Sequence, residues 1–154
     1  MLTQPRIDHV AIARDFARRP DDWPFAPRFD PGQRWYGRLA AADDHEVWLL
    51  TWLPGQGTDL HDHGGSAGAF VVVSGAVTEL TVAPAGPARL VPRTLGPGTA
   101  RWFGRHHVHQ VVNKGDRPAV TVHVYGPALT ALTRYRIERD RLVLAGVDQA
   151  GVQW

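Results

Sequence analysis

The sequence predicts an all-β sandwich or barrel with one short helix in front of it. Three observations carry this. From Arg34 onward the chain reads as ten short runs rich in apolar, β-branched and aromatic residues, broken by Gly, Pro, Asp and Asn. Helical spacing is confined to residues 7–19, where Ile7, Val10, Ala11, Arg14 and Ala17 recur until Pro20 ends the pattern. The 154 residues show neither an internal repeat nor a second domain, so a single domain over 1–154 is expected.

In chain order, a helix over 7–19 comes first. Residues 20–33 then hold Pro20, Pro24, Pro27 and Pro31 among Trp23, Phe25 and Phe29. Those aromatics need burial, so the stretch is expected to wrap the domain rather than to link it to another. The barrel itself is expected over 34–145. Its strands are expected at 34–39, 46–53, 69–73, 77–82, 88–95, 100–102, 108–112, 119–125, 133–137 and 142–145.

Composition excludes several function classes. Hydrophobic residues make up 44% and charged residues 21%, ordinary for a soluble globular protein. The formal charge is +2 and the basic residues are scattered, with Arg18-Arg19 the densest pair, so no nucleic-acid footprint is expected. No run is long enough to span a bilayer, and the stretch MLTQPRIDHVAIARDF lacks the apolar core of a signal peptide. The absence of cysteine excludes disulfides, thiolate metal sites and a cysteine nucleophile, and a cytoplasmic protein is expected. Any metal must be held by His, Asp, Glu or solvent.

The stretch Leu60-His61-Asp62-His63-Gly64-Gly65 lies between two apolar runs. In a strand, alternate side chains share a face, so His61 and His63 are expected to point the same way. Two imidazoles side by side between buried strands are poorly explained by packing and well explained by a metal. Asp62, between them, is expected to face away and orient backbone. The remaining acids are scattered, and none pairs at a spacing that suggests glycosidase chemistry.

Two spaced patterns contain these histidines: Gly55-x5-His61-x-His63-x4-Gly68-x6-Gly75 and Gly98-x5-Gly104-x-His106-x2-His109-x3-Asn113. They resemble the two motifs of the cupin superfamily, G-x5-H-x-H-x3,4-E-x6-G and G-x5-P-x-G-x2-H-x3-N. The resemblance implies a cupin jelly-roll barrel with a metal in its mouth. This chain departs from the pattern at Gly68, where the usual glutamate stands, and at Gly104 and His106. The spacing to Asn113 selects His109 as the third ligand, leaving His107 at the rim or in support.

Within cupins, a three-histidine set resembles the thiol dioxygenases, and the wider sequence resembles the cysteine dioxygenase family. H-D-H near the centre is followed by H-Q-V-V-N and by Val122-His123-Val124-Tyr125-Gly126-Pro127. That last run is similar to the family's S-x-H-x-Y-S-P segment, with Thr121 and Gly126 in place of the serines. The resemblance implies Fe(II) held by His61, His63 and His109, and a hydrogen-bonded relay of Thr121, His123 and Tyr125 beside the substrate. In mammalian relatives the tyrosine is covalently linked to a cysteine. The matching position here is Gly68, so that crosslink cannot form, as in the bacterial form of the site. The Gly126-Pro127 bond matches a position that is cis in the family.

Tyr36-Gly37-Arg38-Leu39 resembles the family's Y-x-R-N segment, whose arginine pairs with the substrate carboxylate, although the alignment needs a gap between Leu39 and His45. A guanidinium suits that task through bidentate pairing, so Arg38, helped by Tyr36, is the expected clamp; the bland alternative is that Arg38 pairs with a surface acid such as Asp43 or Asp44. Relatives that prefer 3-mercaptopropionate carry glutamine there, so the resemblance implies L-cysteine as substrate with O2, giving cysteine sulfinate. The alternatives are a dioxygenase of 3-mercaptopropionate or another small thiol, and a non-catalytic metal-binding cupin. No nucleic-acid or membrane partner is expected, and the chain is expected to be a monomer. His9 and His45 are expected to face solvent, and Trp48, Trp52 and Trp102 to be packing or cavity lining.

Overall fold

The protein is described by a computed structural model covering residues 6–150. Helix α1 runs His9–Arg18 and is followed by a 3-10 turn at Pro20–Asp22. Eleven strands follow: β1 Trp35–Ala41, β2 Glu46–Trp52, β3 Leu60–His61, β4 Ala67–Ser74, β5 Val77–Val82, β6 Leu90–Leu95, β7 Ala100–Phe103, β8 His109–Val112, β9 Ala119–Gly126, β10 Ala131–Glu138 and β11 Arg141–Gln149. They form two antiparallel sheets of order β1-β2-β9-β4-β7 and β11-β10-β3-β8-β5-β6. This is the expected all-β barrel with its short N-terminal helix.

Ten of the strands fall where the residue pattern puts them. The one without a counterpart is β3, two residues long and carrying His61. A two-residue strand has no period to read, so alternation does not place His63. The chain leaves β3 after His61 and turns through Gly64, whose φ is +58° and where a Cβ would run into the Ala131 carbonyl. Asp62 organises this turn, accepting from the Gly64 and Thr133 amides at 3.0 and 3.2 Å and from the Tyr135 hydroxyl at 2.8 Å.

The alternation of β2, β4 and β9 divides the core in two. Leu50, Trp52, Phe70, Val72 and Tyr125 face into the barrel and meet Val77, Leu95, Phe103 and Val111. Leu49, Val71, Val120, Val122 and Val124 face outward, against Ala13 of α1 with Trp23, Phe25 and Trp35. Such a strand must be apolar on both faces, and every residue of β9 is buried. Helix α1 forms where Asp8 caps it by accepting from the Ala11 amide at 2.9 Å, and it buries Ala13 completely.

The proline-rich segment wraps the barrel, as its aromatics require. The Thr51 hydroxyl donates to the Arg28 carbonyl at 2.6 Å, and the Gln56 amide donates to the Asp30 carbonyl at 2.7 Å. These bonds carry residues 31–34 to the open end of the barrel. Two expectations fail at single residues. His9 is buried, because the helix start packs against Gly126. Trp102 is 60% exposed, because it points away from the barrel on the edge strand β7.

Candidate metal centre

His61 and His109 are directly paired neighbours on β3 and β8. Their ring centroids lie 4.9 Å apart, and His63 sits 5.0 Å from each. One nitrogen from each ring falls within 4.8 Å of the others, and all three side chains are buried. Burial, reinforced by the neighbouring imidazoles, lowers the pKa of His61 to about 3, that of His63 well below its ordinary value, and that of His109 as well. All three rings are therefore neutral at pH 7, the state in which imidazole binds a metal.

The outward nitrogens are held differently. His61 Nδ1 lies 2.8 Å from the Asp59 carbonyl oxygen, which places a proton on Nδ1 and leaves Nε2 as a donor. His109 Nδ1 lies 2.7 Å from a carboxylate oxygen of Glu79. His63 Nδ1 is buried with no hydrogen-bond partner among the described residues. Three converging neutral donors fit a divalent metal.

The glutamate expected of cupins could not enter this site. Gly68 pairs with Tyr125 across β4 and β9, and a Cβ there would run into the Val124 carbonyl oxygen and the Phe103 ring. Phe103 occupies the side of His63 instead, stacked at 4.4 Å.

A cavity of about 620 Å³ opens beside the histidines. Its walls include His61, His109, Trp52, His123, Tyr125 and Arg34, with Asp59, Arg134 and Asp148 also bordering it. Thr121, His123 and Tyr125 alternate along β9 and all face inward. Thr121 Oγ1 lies 2.7 Å from His123 Nε2, and the Tyr125 hydroxyl lies 3.3 Å from His123 Nδ1. The Trp52 indole N–H donates to Thr121 Oγ1 at 2.9 Å, fixing the end of the line. Burial holds His123 neutral and pushes the Tyr125 hydroxyl well above the usual phenol range, so both are uncharged at neutral pH. The Gly126–Pro127 bond at the end of β9 is cis.

Neither Arg38 nor Tyr36 lines the cavity. Arg34, Tyr36 and Arg38 alternate onto one face of the chain, but Arg38 sits opposite Trp48, about 13 Å along the strand from Arg34. Its side chain is 56% exposed, 4.0 Å from Glu46 and over the Trp48 ring. Tyr36 packs edge-on to Trp48 at 5.9 Å. Two guanidinium groups border the cavity: Arg134, which is paired with Asp148 at 2.7 Å, and Arg34, 5.1 Å over the Trp52 ring. Arg34 has neither a hydrogen bond nor an ion pair among the described residues. The structure thus puts Arg34 at the cavity and leaves Arg38, on the same face of the chain, outside it.

Glu79 and Arg34 are the two residues that the sequence did not single out. Glu79 sits in an ordinary run of strand residues, and its only signal is an acid between Val77 and Thr81 on one face of β5.

Barrel, cavity and three-histidine cluster together define a cupin with a site able to hold a metal. Solved structures agree on the fold. A protein from Thermus thermophilus matches with 24% identity and a TM-score of 0.57, over 66% of this chain and 90% of that one. An uncharacterised Klebsiella pneumoniae protein with a double-stranded β-helix domain matches at 19% identity and TM-score 0.57, over 93% and 99% of the two chains. A sugar phosphate isomerase of the cupin superfamily from Silicibacter pomeroyi matches at 21% and 0.56, over 77% and 78%. A search of curated proteins finds no match. The family model for cysteine dioxygenase type I matches residues 6–138, and the chain belongs to that family.

Proposed function

We propose that the protein is an Fe(II)-dependent dioxygenase of a small carboxylate-bearing thiol, with L-cysteine and O2 as substrates and cysteine sulfinate as product. The observation that carries this reading is the joint lining of one cavity by histidines of the cluster, the His123–Tyr125 pair and the Arg34 guanidinium, which has no hydrogen-bond or ion-pair partner among the described residues. A bare metal-binding module has no use for the last two. Iron(II) held by His61, His63 and His109 would supply open positions where thiolate and O2 meet, so that both oxygen atoms pass to sulfur without an external reductant.

The chain's own residues supply orientation and proton control. Arg34 binds the substrate carboxylate through its planar fork, held against Trp52. No carboxylate among the described residues is in ion-pair contact with it in a partly buried cavity, although Asp59 also borders the space, and this favours an anionic ligand at its fork. The β9 line supports two arrangements of its protons. With the Thr121 hydroxyl donating to His123 Nε2, Nδ1–H donates to the Tyr125 oxygen and the phenol proton is turned away from His123. With the proton on Nε2, the Tyr125 hydroxyl donates to Nδ1 instead. Tyr125 can therefore present or withhold a hydrogen bond to the substrate while staying neutral. Leu50, Val111 and Leu132 give the cavity apolar wall.

The test is oxygen uptake by the iron-reconstituted protein with L-cysteine, 3-mercaptopropionate and cysteamine side by side. The proposal expects turnover with the carboxylate-bearing thiols and a large loss with cysteamine. Absence of thiol-dependent oxygen consumption by fully loaded protein would refute it.

A further inference from the structure

Three buried imidazoles make up the cluster, and only one of them is backed by an anion. Glu79 projects inward from β5, the strand beside β8, and is 1% exposed. Its two oxygens are divided between partners. Oε1 accepts from Arg101 Nε at 2.7 Å, reaching across from β7 of the other sheet. Oε2 accepts from His109 Nδ1 at 2.7 Å, with His107 Nε2 at 3.4 Å. Burial alone would push the carboxyl pKa up, but the hydrogen bonds from His107, His109 and Arg101 hold it well below the usual carboxylate range.

Glu79, His107 and His109 also place their ligand atoms within 4.8 Å of one another, which invites a second metal. Two features argue against one. The Arg101 guanidinium already stands at the carboxylate as its counter-charge. A proton on His109 Nδ1, required by the short bond to Glu79, removes the donor that a second metal would need. The cluster instead serves the first site from behind.

We infer that Glu79 is the positioning residue of the three-histidine centre: anchored by Arg101, it fixes the ring orientation and tautomer of His109 and lends negative charge to its Nε2. This rests on His61, His63 and His109 being the metal ligands. It gives a physical counterpart to Gly68, because the carboxylate that cannot enter the cluster acts through His109 instead. The three donors are thereby graded, with a carboxylate behind His109, a carbonyl behind His61 and no partner among the described residues on His63 Nδ1. A carboxylate partner raises the basicity of a ligating imidazole, and removing such partners typically costs about 10–100-fold in metal affinity.

The experiment uses the full chain titrated with Co(II), with affinity measured by chelator competition and donor strength by the ligand-field absorption bands. Thermal unfolding of the metal-free samples runs alongside. Glu79→Gln keeps an oxygen that can accept from Nδ1 but removes the charge, and is expected to weaken Co(II) about 10–100-fold and shift the bands. Arg101→Gln keeps the Glu79–His109 bond and is expected to lose less than about tenfold. The double variant replaces the whole ion pair with neutral groups, and is expected to unfold near the wild-type temperature yet retain the weak binding of Glu79→Gln. Wild-type affinity and bands in Glu79→Gln, or restored affinity in the double variant, would overturn the inference. So would equal losses in both single variants tracking their thermal destabilisation, since the pair would then act as scaffold alone. If the wild type binds no Co(II), the metal-ligand reading itself fails and this inference falls with it.

Discussion

Replacing Arg34 and Arg38 separately by methionine distinguishes the Arg34 guanidinium at the cavity from the one that the motif suggests. Both side chains leave the same face of one stretch of chain, so composition and overall charge change identically. Their surroundings differ. Arg34 borders the cavity over Trp52, whereas the Arg38 side chain is 56% exposed and 4.0 Å from Glu46. Truncating one partner of a desolvated, hydrogen-bonded charge pair costs about 2–5 kcal/mol, or roughly 30-fold to 5000-fold. A pair at the limit of contact, with Arg38 largely in solvent although Glu46 is buried, contributes about 0–1 kcal/mol, less than about sixfold. With oxygen uptake as the assay, Arg34→Met is expected to lower kcat/KM for L-cysteine by at least about 30-fold, while Arg38→Met stays within about sixfold. The internal control is cysteamine, which lacks the carboxylate and should be turned over equally by Arg34→Met and wild type. If Arg34→Met cripples both thiols alike, or if Arg38→Met carries the loss, the clamp assignment is wrong.

Other perturbations separate the parts of the site. His61→Ala should abolish both metal binding and oxygen uptake, since it removes one of only three converging donors. Tyr125→Phe should keep the metal, measured by elemental analysis, but slow turnover by about 100-fold through loss of the positioned hydroxyl. Gly68→Glu should not create a fourth ligand; the clash with the Val124 carbonyl and Phe103 should destabilise the fold by at least about 1–3 kcal/mol in denaturant unfolding. The buried ring of His9, with neither nitrogen hydrogen-bonded among the described residues, has its pKa lowered from 6.5 by burial and by His45, with Asp8 and Asp44 acting in the opposite direction. The unfolded chain then binds the extra proton first as pH falls through 6.5. Wild type should therefore lose stability relative to His9→Leu below about pH 6.5, read from unfolding curves across pH.

Much of this molecule was legible in its sequence where a residue pattern repeats. The long strands declare themselves by alternation, and α1 by its spacing and Pro20. The residues His61, His63 and His109 stand out because imidazoles at fixed intervals from glycines and Asn113 have no packing explanation. What stayed hidden depends on relations that a linear pattern does not contain. Glu79 reaches His109 only because β5 and β8 are neighbours, a fact of sheet order. Arg34 enters the cavity only because Thr51 and Gln56 hold the proline-rich segment against the barrel. His9 reads as an isolated polar residue, but the docking of a helix end buries it.

Strand β9 shows why site and core are inseparable here. Its even-numbered residues, Val120, Val122 and Val124, seal the outer face beneath α1, while Thr121, His123 and Tyr125 form the line inside the barrel. A one-residue slip would exchange the two sets, exposing valines to the cavity and burying three polar groups under the helix. The register is therefore enforced from both sides: by apolar burial outside, and inside by the Trp52–Thr121–His123–Tyr125 hydrogen bonds. The same argument extends to the neighbouring strand. Leu49→Ala on β2 leaves a cavity in the outer layer and should cost about 2–5 kcal/mol of stability. It should leave metal affinity unchanged, because Leu49 faces away from the histidines. Loss of metal in that variant would mean that the outer layer helps to hold the site, and that the two faces of these strands are not the separate compartments their alternation implies.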